Sequence, residues 1–547
     1  MTSPPRISGR FLKSLAALGK TRAGSAIIYR VTRGDLRIDE LPKIAPRHFG
    51  DVPLDNTPIG GRPPRHAGDA SLPFPPPPWG GTSATRTAAY AAGTTTPVAA
   101  VRHALDAARH LASKRPCMGP ILDFCDDAAL AEAAASADRW RRGAPLGPLD
   151  GVPFVVKEQT AVAGLPVRAG SDLTDASPAA RDATCVARLR AVGAIVIGTT
   201  PMTEFGMTPL GFNPKRVMPR NPHGGGHVAG GSSTGSAVAV ATGVVPLALG
   251  GDGGGSIRIP SALCGVFGIK PTWGRVSRHG DVLPGTVGHL GPIASSTLDL
   301  ARSLDVICGL DDGDEQTALA PPLAPGELTR ALARGVRGLR IGVEAGEWAD
   351  TSPAIAAAGR EALRALEREG AVLVDVRLEL ARFAAPVGYL TIGLEALASC
   401  WNWLTNGAVF NPDLAVSHAA LSRATAIEAI QAQRLRAGLR REVAKTMLGV
   451  DLLALPTTVT TATPVTDAEF DGGFIDPQAI DAMCRHNFLG NLTGLPAMNA
   501  PVGIDVQAMP IGLQLVGDAW DEATVLAVAG HLERIGASRV VKPGIHV

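Results

Sequence analysis

Residues 230–260 read GGSSTGSAVAVATGVVPLALGGDGGGSIRIP. Two loops made almost wholly of glycine and serine bracket an apolar run with no charge before Asp252. Such a density of small residues means either a flexible linker or a nucleophile held in a backbone cradle. VVPLALG reads as a buried strand, after which Gly250–Gly255 turn sharply into SIRIPSALCG. Successive glycines leave the backbone N–H groups of such a turn unobstructed. Several can then converge on one point and form a nest for an oxyanion. Ser256, at the end of the turn, is placed as a nucleophile with Gly253, Gly254 and Gly255 behind it. A tight turn with a serine helix cap has the same composition, and the loop alone leaves both readings open.

The other serines offer a competing choice. Gly231-x-Ser233-x-Gly235 fits the G-x-S-x-G nucleophile elbow, which would make Ser233 the nucleophile. That elbow needs a buried strand directly before it, and the preceding NPHGGGHVAG is loop. No S-x-x-K pair, dinucleotide fingerprint or P-loop occurs in the chain. A nucleophilic serine also needs a base. The twelve histidines form no constellation, and His223 and His227 sit in a glycine-rich loop where packing explains them as well as binding does. Lys157 ends the apolar run GVPFVVK. Burial there would lower its pKa and leave it neutral, as a base must be. A lysine snorkelling from a strand end is the alternative.

Working outward, PVAAVRHALDAARHLA and DDAALAEAAASADRWRRG predict helices, the first opened by Thr96-Pro97. GPLDGVPFVVKEQT predicts a strand, and DATCVARLRAVGAIVIGTT a helix followed by a buried strand. VDLLALPT, PAMNAPVG and MPIGLQLVG return to strands near the C-terminus, while 310–450 reads as mostly helical. Helices alternating with apolar strands predict an α/β fold, a mixed twisted sheet covered by helices on both faces. Residues 91–547 are expected to form one large domain. Residues 1–90 form an N-terminal extension, partly extended, with prolines crowded between Pro42 and Gly81. Its basic GRFLKSLAALGK is expected to dock as a helix on the body, with a membrane or partner contact left open.

Of 547 residues, 45% are hydrophobic and 19% charged, an ordinary globular balance. A net charge of +2 argues against bulk electrostatic binding of nucleic acid. No apolar stretch is long enough for a transmembrane helix. Seven cysteines without a C-x-x-C pair read as free thiols in a reducing cytoplasm, with no metal site.

The chain also resembles the amidase signature enzymes over most of residues 95–535. The resemblance is carried by GPLDGVPFVVKE, AGGSSTGSAVAVATG, GGDGGGSIRIPSALCGVFGIKPTWGRVS and NLTGLPAMNAPVG…MPIGLQLVG, in that order. It implies Lys157 as base, Ser232 as a bridging serine after a cis Gly231–Ser232 bond, and Ser256 as nucleophile. It implies the amides of Gly253, Gly254, Gly255 and Ser256 as oxyanion donors, and no cofactor. The implied reaction is hydrolysis of a small-molecule amide, with anilide, carbamate or ester as variants and homodimerisation open. The glutaminase subunit of a tRNA-dependent amidotransferase is the alternative. Departures from the family pattern are Glu158 where Asp is usual, Thr234 for a glycine, and glycines at 251 and 253, which suggest a looser loop or a bulkier acyl group. Met202, Phe205, Met207, Trp401 and Trp403 are candidates for an apolar wall or for ordinary core.

Overall fold

The computed structural model describes residues 6–51, 56–62, 81–282 and 285–547. The crowded prolines of SLPFPPPPW lie outside the described residues. Thirteen strands are found among them. In chain order these are β1 (Ile7–Ser8), β2 (Asp123–Phe124), β3 (Pro153–Lys157), β4 (Ile195–Thr200), β5 (Leu247–Asp252), β6 (Phe267–Lys270) and β7 (His289–Ala294). There follow β8 (Arg340–Val343), β9 (Val372–Asp375), β10 (Leu452–Pro456), β11 (Phe474–Ile475), β12 (Ala497–Ile504) and β13 (Pro510–Gly517). Eleven of them form one sheet in the order β2-β4-β3-β5-β7-β6-β12-β13-β10-β8-β9. The edge strand β2 pairs antiparallel with β4, β4-β3-β5 and β10-β8-β9 are parallel runs, and the pairings from β5 through β7, β6, β12 and β13 to β10 are antiparallel.

Every residue of β3, β4, β5, β7, β10 and β13 is buried, which requires cover on both faces. Alternate residues supply two separate cores. Along β10, Leu452 and Ala454 join one apolar cluster and Leu453 and Leu455 the other. The first cluster takes in the helices Pro97–Ala112, Thr234–Ala241 and Glu522–Arg534, the second the helices Ala384–Ser399 and Ala426–Met447. The result is a three-layer α/β fold.

The segment 310–450 is mostly helical, and within it β8 and β9 extend the sheet edge. Each is only four residues long and β9 is half-exposed, so neither leaves a periodic signal. Regular structure also begins before Thr96: Thr82 and Thr85 form a capping box that opens a helix over Ser83–Ala91. Within the N-terminal extension, helices Gly9–Gly19 and Arg22–Asp35 lie against helix Pro412–Leu421. Leu12, Ile28 and Tyr29 pack there with Val416 and Ala420, and β1 pairs with β11. No helix among the described residues is long and apolar enough to cross a membrane.

Candidate active site

β3 and β5 are parallel neighbours, so both deliver their carboxyl ends to the same edge of the sheet, where open α/β sheets place ligands. β3 ends in Lys157, and β5 ends in Asp252 at the start of the glycine turn. The loop before helix Thr234–Ala241 brings Ser232 between them. Lys157 Nζ donates to Ser232 Oγ at 2.7 Å and to the Gly251 carbonyl at 3.2 Å. The Gly231–Ser232 peptide is cis. Burial drives the Lys157 pKa down to about 7, against the pull of Asp281, Asp252 and Glu158. Its ammonium is therefore easily discharged near neutrality.

Ser233 has another use. Its hydroxyl donates to the Gly251 carbonyl at 3.1 Å and accepts the Gly251 amide at 3.3 Å, while its own amide donates to the Ser256 carbonyl at 3.2 Å. Ser233 thus staples the two glycine-serine loops together, fully buried. Ser256 keeps 9% of its surface exposed, and its hydroxyl takes no hydrogen bond from a described residue. Ser232 and Ser256 line one small cavity. Catalytic hydrogen bonds commonly tighten only when substrate is bound.

The glycine turn is held from beneath. The Asp252 carboxylate accepts the Gly255 amide at 2.8 Å, the Ile257 amide at 3.1 Å and both Arg258 donors at 3.0 and 2.9 Å. Asn491 Nδ2 reaches the same carboxylate at 2.9 Å. Burial would raise the Asp252 pKa, but Arg258 beside it holds the carboxyl far below the usual range. The Gly255 amide, counted among the oxyanion donors from the sequence, is committed to Asp252. The amides of Gly253, Gly254 and Ser256 donate to no described protein acceptor. Gly255 instead supplies the turn itself, with φ +116°. The Gly251 carbonyl is the shared acceptor of Lys157 and Ser233, and a Cβ at 253 would lie 2.8 Å from Ile392 Cδ1.

The extra methylene of Glu158 is accommodated: its Oε1 accepts the Met202 amide at 2.8 Å. His223 bonds the Cys264 carbonyl at 3.0 Å, and His227 lies in the β-bridge to Pro464; neither lines the cavities at Ser256.

A second, apolar cavity of about 320 Å³ ends on Ser256 and Gly254. Phe488, Ile392 and Met207 wall its inner part, and Leu15, Ile28 and Val31 of the N-terminal helices its outer part. Of the residues proposed for an apolar wall, Met207 is in place and Phe205 lines the smaller cavity. Met202 is core, Trp403 packs on Phe205 at 5.3 Å, and Trp401 is half-exposed. The contribution of residues 7–36 was not foreseen. Its signal was available in the spacing of Phe11, Leu15 and Leu18, but only the fold shows where that face points.

The Amidase family model matches residues 99–526. The chain belongs to the amidase signature family. Among similar relatives is one of the subunits of the glutamyl-tRNA(Gln) amidotransferase of Chloroflexus aurantiacus, 36% identical over 84% of this chain and 97% of that protein. The fatty acid amide hydrolase of Medicago truncatula is 35% identical over 74% of this chain and 68% of that one. Among solved structures, a bacterial aryl acylamidase of the same family superposes with a TM-score of 0.73 at 26% identity, over 84% of this chain and 97% of that one. This family membership makes the chain one of a group of hydrolases that cleave amide C–N bonds.

Proposed function

We propose that this amidase-signature chain hydrolyses amides of long, apolar carboxylic acids through an acyl-enzyme on Ser256. Neutral Lys157 takes the Ser232 proton while Ser232 takes that of Ser256, and Ser256 Oγ bonds to the carbonyl carbon. The amides of Gly253, Gly254 and Ser256 receive the oxyanion; one such donor is worth about 2.7–4 kcal/mol. The C–N bond then breaks as the nitrogen takes the proton back from Ser232, and water hydrolyses the ester. The observation that carries the acyl preference is the apolar cavity that ends on Ser256. A carbamate or ester of the same acid presents the same carbonyl.

The reading as an amidotransferase component draws on one set of relatives and on their high coverage. Glutamine, however, brings an ammonium and a carboxylate that need charged partners. Asp35 is the one charged residue among the described residues lining the large cavity. The test is release of dodecanoate from dodecanoyl amides by the purified chain, with fluorophosphonate labelling to locate the nucleophile. The reading predicts turnover and label on Ser256, both lost in Ser256→Ala. Ammonia release from free glutamine alone, and only with amidotransferase partners present, would reverse it.

A further inference from the structure

β4 runs parallel to β3, and Thr200 at its end is in register with Lys157. The chain that leaves it, a strap over 201–207, therefore departs from the sheet edge that carries the site. Phe205, Gly206 and Met207 of this strap line the small cavity together with Ser232 and Ser256. A Cβ at Gly206 would stand 3.2 Å from Ser232 Oγ. The strap is bent against its own preference. Phe205 lies in the left-handed region at φ +48°, and Gly206 follows at φ +73°. The Phe205 amide donates to the Ala169 carbonyl at 2.8 Å, and Ala169 is left-handed too, at φ +48°. Non-glycine residues keep such a conformation only where their surroundings over-determine it.

Glu204 is central to those surroundings. It is buried, and donors from three separate segments meet on its carboxylate. Oε1 accepts the Ser171 hydroxyl at 2.8 Å and Lys215 Nζ at 2.9 Å, while Oε2 accepts the Asn411 amide at 2.6 Å. Asn213 ties the same segments together. Its Nδ2 donates to the Gly170 carbonyl at 2.8 Å and the Met202 carbonyl at 2.9 Å, and its Oδ1 accepts Asn411 Nδ2 at 2.8 Å. The strap is thus clamped immediately before its left-handed residue. Lys215 Nζ and the Asn411 amide can only donate, and they sit on different oxygens. A glutamine at 204 has one acceptor oxygen and would turn its NH2 group toward one of them, leaving a buried donor unpaired.

We infer that Glu204 is a positioning residue of the proton relay. Its carboxylate, acting through the bend at Phe205 and Gly206, holds the strap against Ser232 and fixes that hydroxyl between Lys157 and Ser256. Glu204 itself does not line the cavity. The inference rests on the amidohydrolase reading above and adds to it a residue from outside the glycine-serine loops.

The experiment uses the two tasks of Ser232, which separate with the leaving group. Ser232 takes the Ser256 proton from every substrate, but only an amine must receive that proton before it departs; p-nitrophenolate leaves without one. kcat and KM are measured for dodecanamide and p-nitrophenyl dodecanoate in wild type, Glu204→Gln, Glu204→Asp and Gly206→Ala. Glu204→Gln should lower kcat for the amide about a hundredfold, the cost of a misplaced catalytic group, with KM little changed. The ester should lose about tenfold less, so the amide-to-ester ratio falls. Glu204→Asp keeps both acceptor oxygens and should recover part of that ratio. Gly206→Ala, which brings a methyl group onto Ser232 from the far side of the bend, should lower it as well. Each ratio is read within one preparation, so a loss of folded enzyme cancels. If Glu204→Gln does not fold, Ser171→Ala, which removes one donor and leaves the carboxylate, should lower the ratio to a smaller extent. An unchanged ratio in the folded variants at 204 or 171 overturns the inference, assigns Glu204 to the fold alone and leaves the amidohydrolase reading standing. Wild type that cleaves the ester but no dodecanoyl amide sinks the amidohydrolase reading and the inference with it.

Discussion

Lys157 closes a strand in which every side chain is buried, and burial is what lets it shed its charge near neutrality, as the proposed base must. With its pKa brought down to about 7, the neutral form grows as pH rises, so kcat/KM should climb through pH 7 to a plateau. One unit below that pKa, activity should stand about tenfold under the plateau. The same shift costs stability. Below about pH 7 the lysine is protonated in both states and the penalty for burying its charge is complete; it fades as pH rises toward the ordinary lysine pKa. Lys157→Met should therefore be inactive yet melt several degrees higher at pH 7, with the gap closing by about pH 10.5. A pH-independent gap would place the stabilisation elsewhere. Lys157, Ser232 and Ser256 stood out in the sequence because each sits in a motif whose proposed chemistry uses that residue, and the fold brings Lys157 to Ser232 at 2.7 Å and lines one cavity with both serines. The commitment of the Gly255 amide to Asp252 could not be read there, since the sequence shows four donors and no hint of which one the buried carboxylate takes.

The glycine turn works as an element because a neighbouring helix leaves it no slack. A Cβ on Gly254 would meet the Phe488 ring at 2.7 Å, and Phe488 is itself core. Gly254→Ala should then displace an oxyanion donor and lower kcat by about 10²–10³, the cost of losing one such group. Adding Phe488→Leu opens room for the methyl and should recover part of the loss, a coupling that a double-mutant cycle reads directly. Additive losses would mean that the ring does not set the loop. This neighbour comes from far downstream in the chain, which is why the sequence suggested slack. The long helices and buried strands were readable from periodicity and β-branched runs, whereas β8 and β9 were too short to leave a pattern.

Across the whole molecule, the cavity that reaches Ser256 is completed by the opposite end of the chain. Leu15 and Ile28, on helices held by Tyr29 to Glu428 at 2.8 Å and by Arg6 to Asp476 at 3.0 Å, face the same space as Phe488 and Gly254. An acyl chain gains about 0.8 kcal/mol for each methylene it buries. In a series of linear primary amides, kcat/KM should thus rise about fourfold per added carbon until the chain spans the cavity. Leu15 is half-buried, so Leu15→Trp can fill the outer part without opening the core. Such a variant should move the optimum to shorter acids, raising KM for dodecanamide while leaving butanamide, which never reaches the helices, at its wild-type rate. Equal losses at both lengths would show that the N-terminal helices support the fold rather than the acyl chain. A shifted optimum would make residues 7–36 the part of the chain that sets acyl length, while the motifs shared with the family set the reaction.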